Sequence, residues 1–224
     1  MFIGHFAPAF AAAAISPRSP RLGTLFVAAQ LVDWGFFALA MVGVEKMRVD
    51  PDATVMVPFD LYHMPFTHSL LGTAIWAAVF AIIVMVWQRN PFGGMLAALV
   101  VLSHWLLDWI THAPDLTIAG GPEAYGLGLW NYPQFAMPLE LLITIGAFWF
   151  YVKRTRGPIG PPLALLAVLL VFQAINWFGP EPVEAGMALY VQALFAFGIA
   201  TGFAWWVGHN RWSKRRGGLA APSE

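Results

Sequence analysis

The chain contains no cysteine, so it has no disulfide framework and no thiolate metal site. Any metal it binds must be held by His, Asp and Glu. Charge is scarce as well: Asp, Glu, Lys and Arg make up 11% of the 224 residues, against about 25% in an ordinary soluble domain. The formal net charge is zero, which argues against a general nucleic-acid binder. The first Lys or Arg is Arg18, so the apolar start MFIGHFAPAFAAAAISP lacks the basic flank of a signal peptide and is expected to be retained. Internal repeats, low-complexity tracts and a second domain are also missing, and residues 1–224 read as one transmembrane domain.

What is present is apolar. Hydrophobic residues make up 59% of the chain, with 11 Trp and 18 Phe, a composition of integral membrane proteins. Six stretches are long enough to span a hydrocarbon core of about 30 Å, which needs roughly 17 to 25 residues. They are Leu22–Val44, His68–Trp87, Phe92–Thr111, Phe135–Val152, Pro161–Phe178 and Gly186–Val207. The expected fold is therefore an all-α, polytopic bundle of about six spans. Residues 2–15 are too short to cross and read equally as a re-entrant half-helix or as an interfacial helix lying flat. Two longer connections, 45–67 and 112–134, are rich in Pro, Gly, Asp and aromatics.

Lys and Arg then set an orientation. With six spans, ten of the twelve basic residues fall on one side: Arg18, Arg21, Arg89, Lys153, Arg154, Arg156, Arg211, Lys214, Arg215 and Arg216. The other side receives only Lys46 and Arg48, together with most of the acids, Glu45 and Asp115 among them. The asymmetry predicts a cytoplasmic C-terminus, with the sparse side facing out. The basic tail reads as a topology signal rather than as a lipid or nucleic-acid patch.

Against this background a few ionisable residues are out of place. Asp33, His68, His104, Asp108, His112 and Glu140 lie within or at the edge of spans. An Asp near the centre of a membrane helix costs about 2.5–3.5 kcal/mol, so such residues face a protein interior and find partners. At 1.5 Å per helical residue, Asp33 lies roughly 16 Å in from the outer end of its span, His104 about 12 Å and Asp108 about 6 Å. His68 opens the second span at that same outer end, with Thr67 as an expected N-cap, and Glu140 sits about one turn into the fourth. All six are thus expected in the outer half of the membrane.

His104, Asp108 and His112 follow one another at i, i+4 and i+8, along one helix face. Imidazole and carboxylate one turn apart can converge on one cation, or the carboxylate can orient an imidazole through its other nitrogen. His63, in the loop before His68, is near enough in sequence to join, or is an interfacial side chain. His5 would join only if the N-terminal segment is re-entrant. Each residue has an ordinary reading too: Asp33 paired for packing, Glu140 stabilising a helix start, Trp105, Trp109, Trp130 and Tyr132 as interface aromatics. Their common depth favours a functional centre.

The motifs Gly4-His5, Leu31-Val32-Asp33, Thr67-His68-Ser69 and Ser103-His104-Trp105-Leu106-Leu107-Asp108 resemble those of bacterial membrane-bound metal-dependent hydrolases. These inner-membrane proteins are similar in motif order to zinc-dependent phospholipase C. The resemblance covers residues 4–112. It implies a centre of one or two divalent ions, zinc foremost, on His5, Asp33, His68, His104 and Asp108. Gly35 stands where a second acid would be expected, and Ala136 precedes Glu140 by four, so a three-metal set is not implied.

The expected activity is metal-assisted hydrolysis of a lipid or lipid-linked ester or phosphoester, reached from the outer face of a bacterial inner membrane. Glu140 or a free Asp, Asp108 included, would act as general base, with His63 and His112 as further candidate ligands and the 112–134 loop as a cover. Expected partners are membrane lipid and an amphiphilic small molecule, with no nucleic acid, and the oligomeric state is left open. The alternatives are a transporter or proton/metal conduit using the same cluster, or a metal-stabilised protein without turnover.

Overall fold

The structure, a computed structural model, describes residues 1–214. Arg215 and Arg216 of the basic tail lie outside the described residues. Helix dominates, and each helix starts where the local chemistry permits. A 3-10 turn at Ile3–His5 leads into α1 (Phe6–Ile15), followed by α2 (Leu22–Met41). A short antiparallel hairpin, β1 (Lys46–Val49) and β2 (Phe59–His63), fills the first long connection. Four helices of spanning length follow: α3 (Leu70–Gln88), α4 (Pro91–Thr111), α5 (Pro133–Arg154) and α6 (Gly160–Phe178). The last, α7 (Met187–Asn210), completes six helices long and apolar enough to cross a membrane. The two-residue strands β3 (Thr155–Arg156) and β4 (Trp212–Ser213) pair at the foot of α5 and α7.

The outward faces fit a lipid environment. Along α3 the exposed positions include Leu71, Ile75, Val79, Ile82 and Val86, all apolar and three or four residues apart. Small residues let the helices close up inside. A methyl group on Gly23 would overlap Trp205 of α7, and one on Gly94 would overlap Met85 and the Ala81 carbonyl of α3.

The N-terminal segment settles the alternative left open by its length. It runs inside the bundle, against α2, α4 and α5, with Ile3, Phe6, Ala9 and Phe10 fully buried. Phe10 packs edge-on to Phe26 and Phe148, and Phe6 stacks on Phe26 at 4.3 Å. An interfacial helix would show a polar face to water, and FAPAFAAAAI has none. It is a half-helix whose N-terminal end points at the cluster described below.

The helix ends shift by up to three residues from expectation, and two of these shifts bear on the site. The first span ends at Met41 rather than Val44, because the chain turns at Gly43 with φ 75°. The helix N-cap at α3 is Ser69, not Thr67: the Ser69 hydroxyl accepts from Gly72 N at 2.9 Å and donates to the Pro65 carbonyl at 2.6 Å. His68 therefore precedes the helix. That shift frees Thr67 for another task.

Candidate metal centre

Three segments and one helix end bring the chemistry together. Asp33 comes from the outer half of α2, His104 and Asp108 from the last turns of α4, and His112 from the residue that ends it. His68 comes from the turn before α3, and His5 from the end of the buried 3-10 turn. His68 is fixed from several directions. Its carbonyl accepts from Trp105 Nε1 at 3.1 Å, its amide donates to the Met64 carbonyl at 3.1 Å, and the preceding Thr67 carbonyl accepts from Thr73 Oγ1 at 2.8 Å.

The side chains meet around the two oxygens of Asp108. Oδ2 lies 3.1 Å from His104 Nε2 and 3.7 Å from His68 Nε2. Asp33 Oδ1 faces the same two nitrogens, at 3.5 Å from His104 and 3.4 Å from His68. On the other side, Asp108 Oδ1 lies 3.0 Å from His5 Nε2, 3.4 Å from His112 Nε2 and 2.9 Å from the Met1 amino nitrogen. The His5 and His104 rings stack at 3.7 Å with planes 5° apart.

Several of these separations are too long for hydrogen bonds, which fall at about 2.7–3.2 Å. They match something else. Two donors each about 2.1 Å from a tetrahedral ion stand about 3.4 Å apart. The set Asp33 Oδ1, Asp108 Oδ2, His68 Nε2 and His104 Nε2 has its four nitrogen–oxygen edges between 3.1 and 3.7 Å. Moreover, His5 Nδ1 is buried without a hydrogen-bond partner, and His5 Nε2 and His104 Nε2, though 3.0 and 3.1 Å from Asp108 oxygens, are not aligned to hydrogen-bond with them. Orphaned imidazole nitrogens in a dry interior are costly unless something absent from the polypeptide satisfies them. The groups His5, His104, Asp108 and Asp33, His68, His104 could each hold a metal ion.

The outer nitrogens are arranged to match. His104 Nδ1 lies 2.8 Å from the Ala29 carbonyl, which can only accept, so Nδ1 carries a proton and, in the neutral ring, Nε2 has its lone pair free for a metal. His112 Nδ1 lies 2.9 Å from Asp115 Oδ1, with the same consequence. This is how metal-binding imidazoles are oriented in general.

Accessibility differs within the cluster. The side chains of His5, His68, His104, Asp108 and His112 are 4% exposed or less, whereas that of Asp33 is 19% exposed. The cluster therefore opens on the Asp33 side. The far end is closed by the connection after α4. Trp130 lies over His112 at 4.1 Å between ring centroids, and the His112 carbonyl accepts from Gly128 N at 2.7 Å. Trp130 is thus buried against the cluster instead of sitting in an interface belt.

Two candidates stand apart. His63 is exposed on β2, opposite Lys46 in the strand register, and is not among the groups that converge. Glu140 is buried beside the cluster but faces the N-terminal segment. Its Oε1 accepts from Phe2 N at 2.6 Å and Gly4 N at 3.0 Å, and its Oε2 from Gln173 Nε2 at 3.2 Å. Gln173 Oε1 in turn accepts from Ile3 N at 3.3 Å. These bonds hold the turn that carries His5.

Sequence patterning missed four supporting residues. Glu45 and Asp115 counted only as loop charges, Thr67 as a cap, and Gln173 drew no notice. His112-x-x-Asp115 is a spacing that could have been seen; nothing in the sequence marks Glu45 or Gln173. No curated protein and no solved structure gives a significant match. The family model of the YdjM inner membrane protein, by contrast, matches residues 2–180, from the buried N-terminal turn through the fifth span and including every side chain of the cluster. The chain belongs to that family of bacterial inner-membrane proteins.

Proposed function

We propose that this protein is a membrane-embedded, zinc-dependent hydrolase acting on a lipid or lipid-linked ester or phosphoester from the outer face. The observation that carries the reading is the set of nitrogen–oxygen edges of 3.1–3.7 Å around Asp33, His68, His104 and Asp108. Of these, His68, His104 and Asp108 would hold one ion with a position left for water, and Asp33 would stand beside that position. His5 and His112, whose Nε2 atoms face the other oxygen of Asp108, would hold a second. A divalent ion at such a site supplies Lewis acidity and brings the pKa of a bound water to about 7.

The remaining work falls to the chain. Asp33 is the carboxylate on the open side, and it takes the proton as water adds across the ester bond to give an acid and an alcohol. Glu140 is an unsuitable base in this arrangement, since both its oxygens already accept hydrogen bonds. Trp130 and the 112–134 connection keep bulk water from the His112 side. The location among apolar helices favours an amphiphile, which reaches the cluster laterally with its tail still in lipid.

The test uses detergent-purified protein against a panel of fluorogenic carboxylic-ester and phosphoester lipids. Turnover that requires zinc, is removed by chelation and is lost in Asp33→Asn supports the reading. Zinc binding with no turnover on either ester class would overturn the hydrolase. Zinc or proton flux through proteoliposomes would point instead to a conduit built from the same side chains.

A further inference from the structure

Glu45 lies in the connection between α2 and β1, yet it is 1% exposed, and none of the described ion pairs includes it. Its partners are all donors from one short stretch. Oε1 accepts from Phe66 N at 2.8 Å and Thr67 N at 2.9 Å, and Oε2 accepts from Thr67 Oγ1 at 2.6 Å. Thr67 Oγ1 lies a further 2.8 Å from His68 Nδ1. The chain of contacts thus runs from Glu45 through one hydroxyl to an imidazole of the cluster.

A threonine hydroxyl has one proton to give and two lone pairs to receive with. Glu45 as a carboxylate only accepts, and the 2.6 Å separation is that of a charge-assisted O–H···O bond. The Thr67 proton therefore points at Glu45, which leaves Thr67 Oγ1 an acceptor toward His68. Nδ1 must then carry hydrogen, and in the neutral ring it is Nε2 that holds the lone pair, on the side of Asp33 and Asp108. We infer that Glu45 is a positioning residue that acts through Thr67 to set the tautomer of His68, making Nε2 the metal-binding atom. The inference rests on reading the cluster as a metal centre, but the tautomer itself does not need a metal to be observed.

The isosteric variant Glu45→Gln provides a sharp test because it should reverse the relay. An amide oxygen can still accept from Phe66 N and Thr67 N, so the local fold is kept. Its NH₂ then faces Thr67 Oγ1 and donates to it. The hydroxyl proton turns to His68 Nδ1, and the hydrogen moves to Nε2, the atom that should bind metal.

The experiment labels the six histidines with ¹⁵N and records ring nitrogen shifts of the metal-free protein across a pH series, reading the tautomer where the ring is neutral. His68 is assigned by the signal that disappears in His68→Gln. The expected result is an Nδ1–H ring in the wild type and in Thr67→Ser, and an Nε2–H ring in Glu45→Gln. Zinc affinity, measured by chelator competition, should fall about 10- to 100-fold in Glu45→Gln. It should stay within about threefold of wild type in Thr67→Ser, which keeps the hydroxyl. In a Thr67→Val background, Glu45→Gln should cause no additional loss, because the relay is already cut.

A wild-type His68 that is Nε2–H without metal would overturn the inference. So would a Glu45→Gln protein whose His68 tautomer is unchanged. If the tautomers behave as described while no variant or wild type binds zinc, the relay stands and the metal reading fails. The two can therefore be told apart.

Discussion

Glu140 shows how much a single residue's role depends on which atoms it touches. Position alone, one turn into a span beside a cluster of ligands, suggests a general base. Its oxygens instead accept the amides of Phe2 and Gly4, and a buried amide left without an acceptor costs about 1–3 kcal/mol. Glu140→Ala is expected to loosen the turn carrying His5 and lower zinc affinity about 10- to 100-fold. Glu140→Gln keeps the acceptor for Phe2 N and Gly4 N but sets an NH₂ against Gln173 Nε2, so it should lose less zinc affinity than the alanine variant, as chelator competition would show. A Gln variant with full zinc content but no turnover would return the base role to Glu140. The cluster residues were legible because charge is rare in this sequence, so each intramembrane acid or imidazole stood out, and helix rise put them at one depth. Glu45 and Gln173 were not, because their meaning lies in tertiary hydrogen bonds to chain segments about 20 and 170 residues away.

At the scale of elements, the six long helices follow from length and apolarity, which the bilayer makes nearly decisive. The shorter pieces do not. FAPAFAAAAI carries no polar residue, so nothing in it tells lipid from protein interior, and only the fit of Phe6 and Phe10 against Phe26 decides. The β1–β2 hairpin was hidden in a stretch whose Pro, Asp and aromatic content reads as loop, and its ladder is irregular between Lys46 and Arg48. Arg211 is a comparable case at the other end of the molecule. It counted only as a topology charge, yet it is buried and caps the end of α5. Its Nε donates to Thr155 Oγ1 at 2.9 Å, and its Nη atoms donate to the carbonyls of Val152, Thr155, Gly157 and Pro158 at 2.7–3.1 Å. These include carbonyls that a helix C-terminus leaves unpaired. Arg211→Ala should cost about 2–4 kcal/mol, since hydrogen bonds to a charged group contribute about 1.5–3 kcal/mol each and water replaces some of them. The expected readout is a fall of about 5–15 °C in the melting temperature in detergent, taking about 2–4 °C per kcal/mol. An unchanged melting temperature would mean that β3 and β4 hold this end without it.

At the scale of the whole molecule, an asymmetric distribution of Lys and Arg and a one-sided cluster of ionisable side chains describe the same polarity. The first predicts a cytoplasmic C-terminus, so a green fluorescent protein fused after Glu224 should fluoresce and an alkaline phosphatase fused there should be inactive. The reverse pattern would place the cluster on the cytoplasmic side and change the substrates it can meet. The central claim, however, is the ion. Its most direct measurement is the metal content of protein purified in detergent at neutral pH without chelator, read by elemental analysis beside His104→Ala and Asp108→Ala. One or two zinc ions per wild-type chain, lost in both variants while their helical content is retained, is the predicted result. Folded wild-type protein with no stoichiometric transition metal would contradict it.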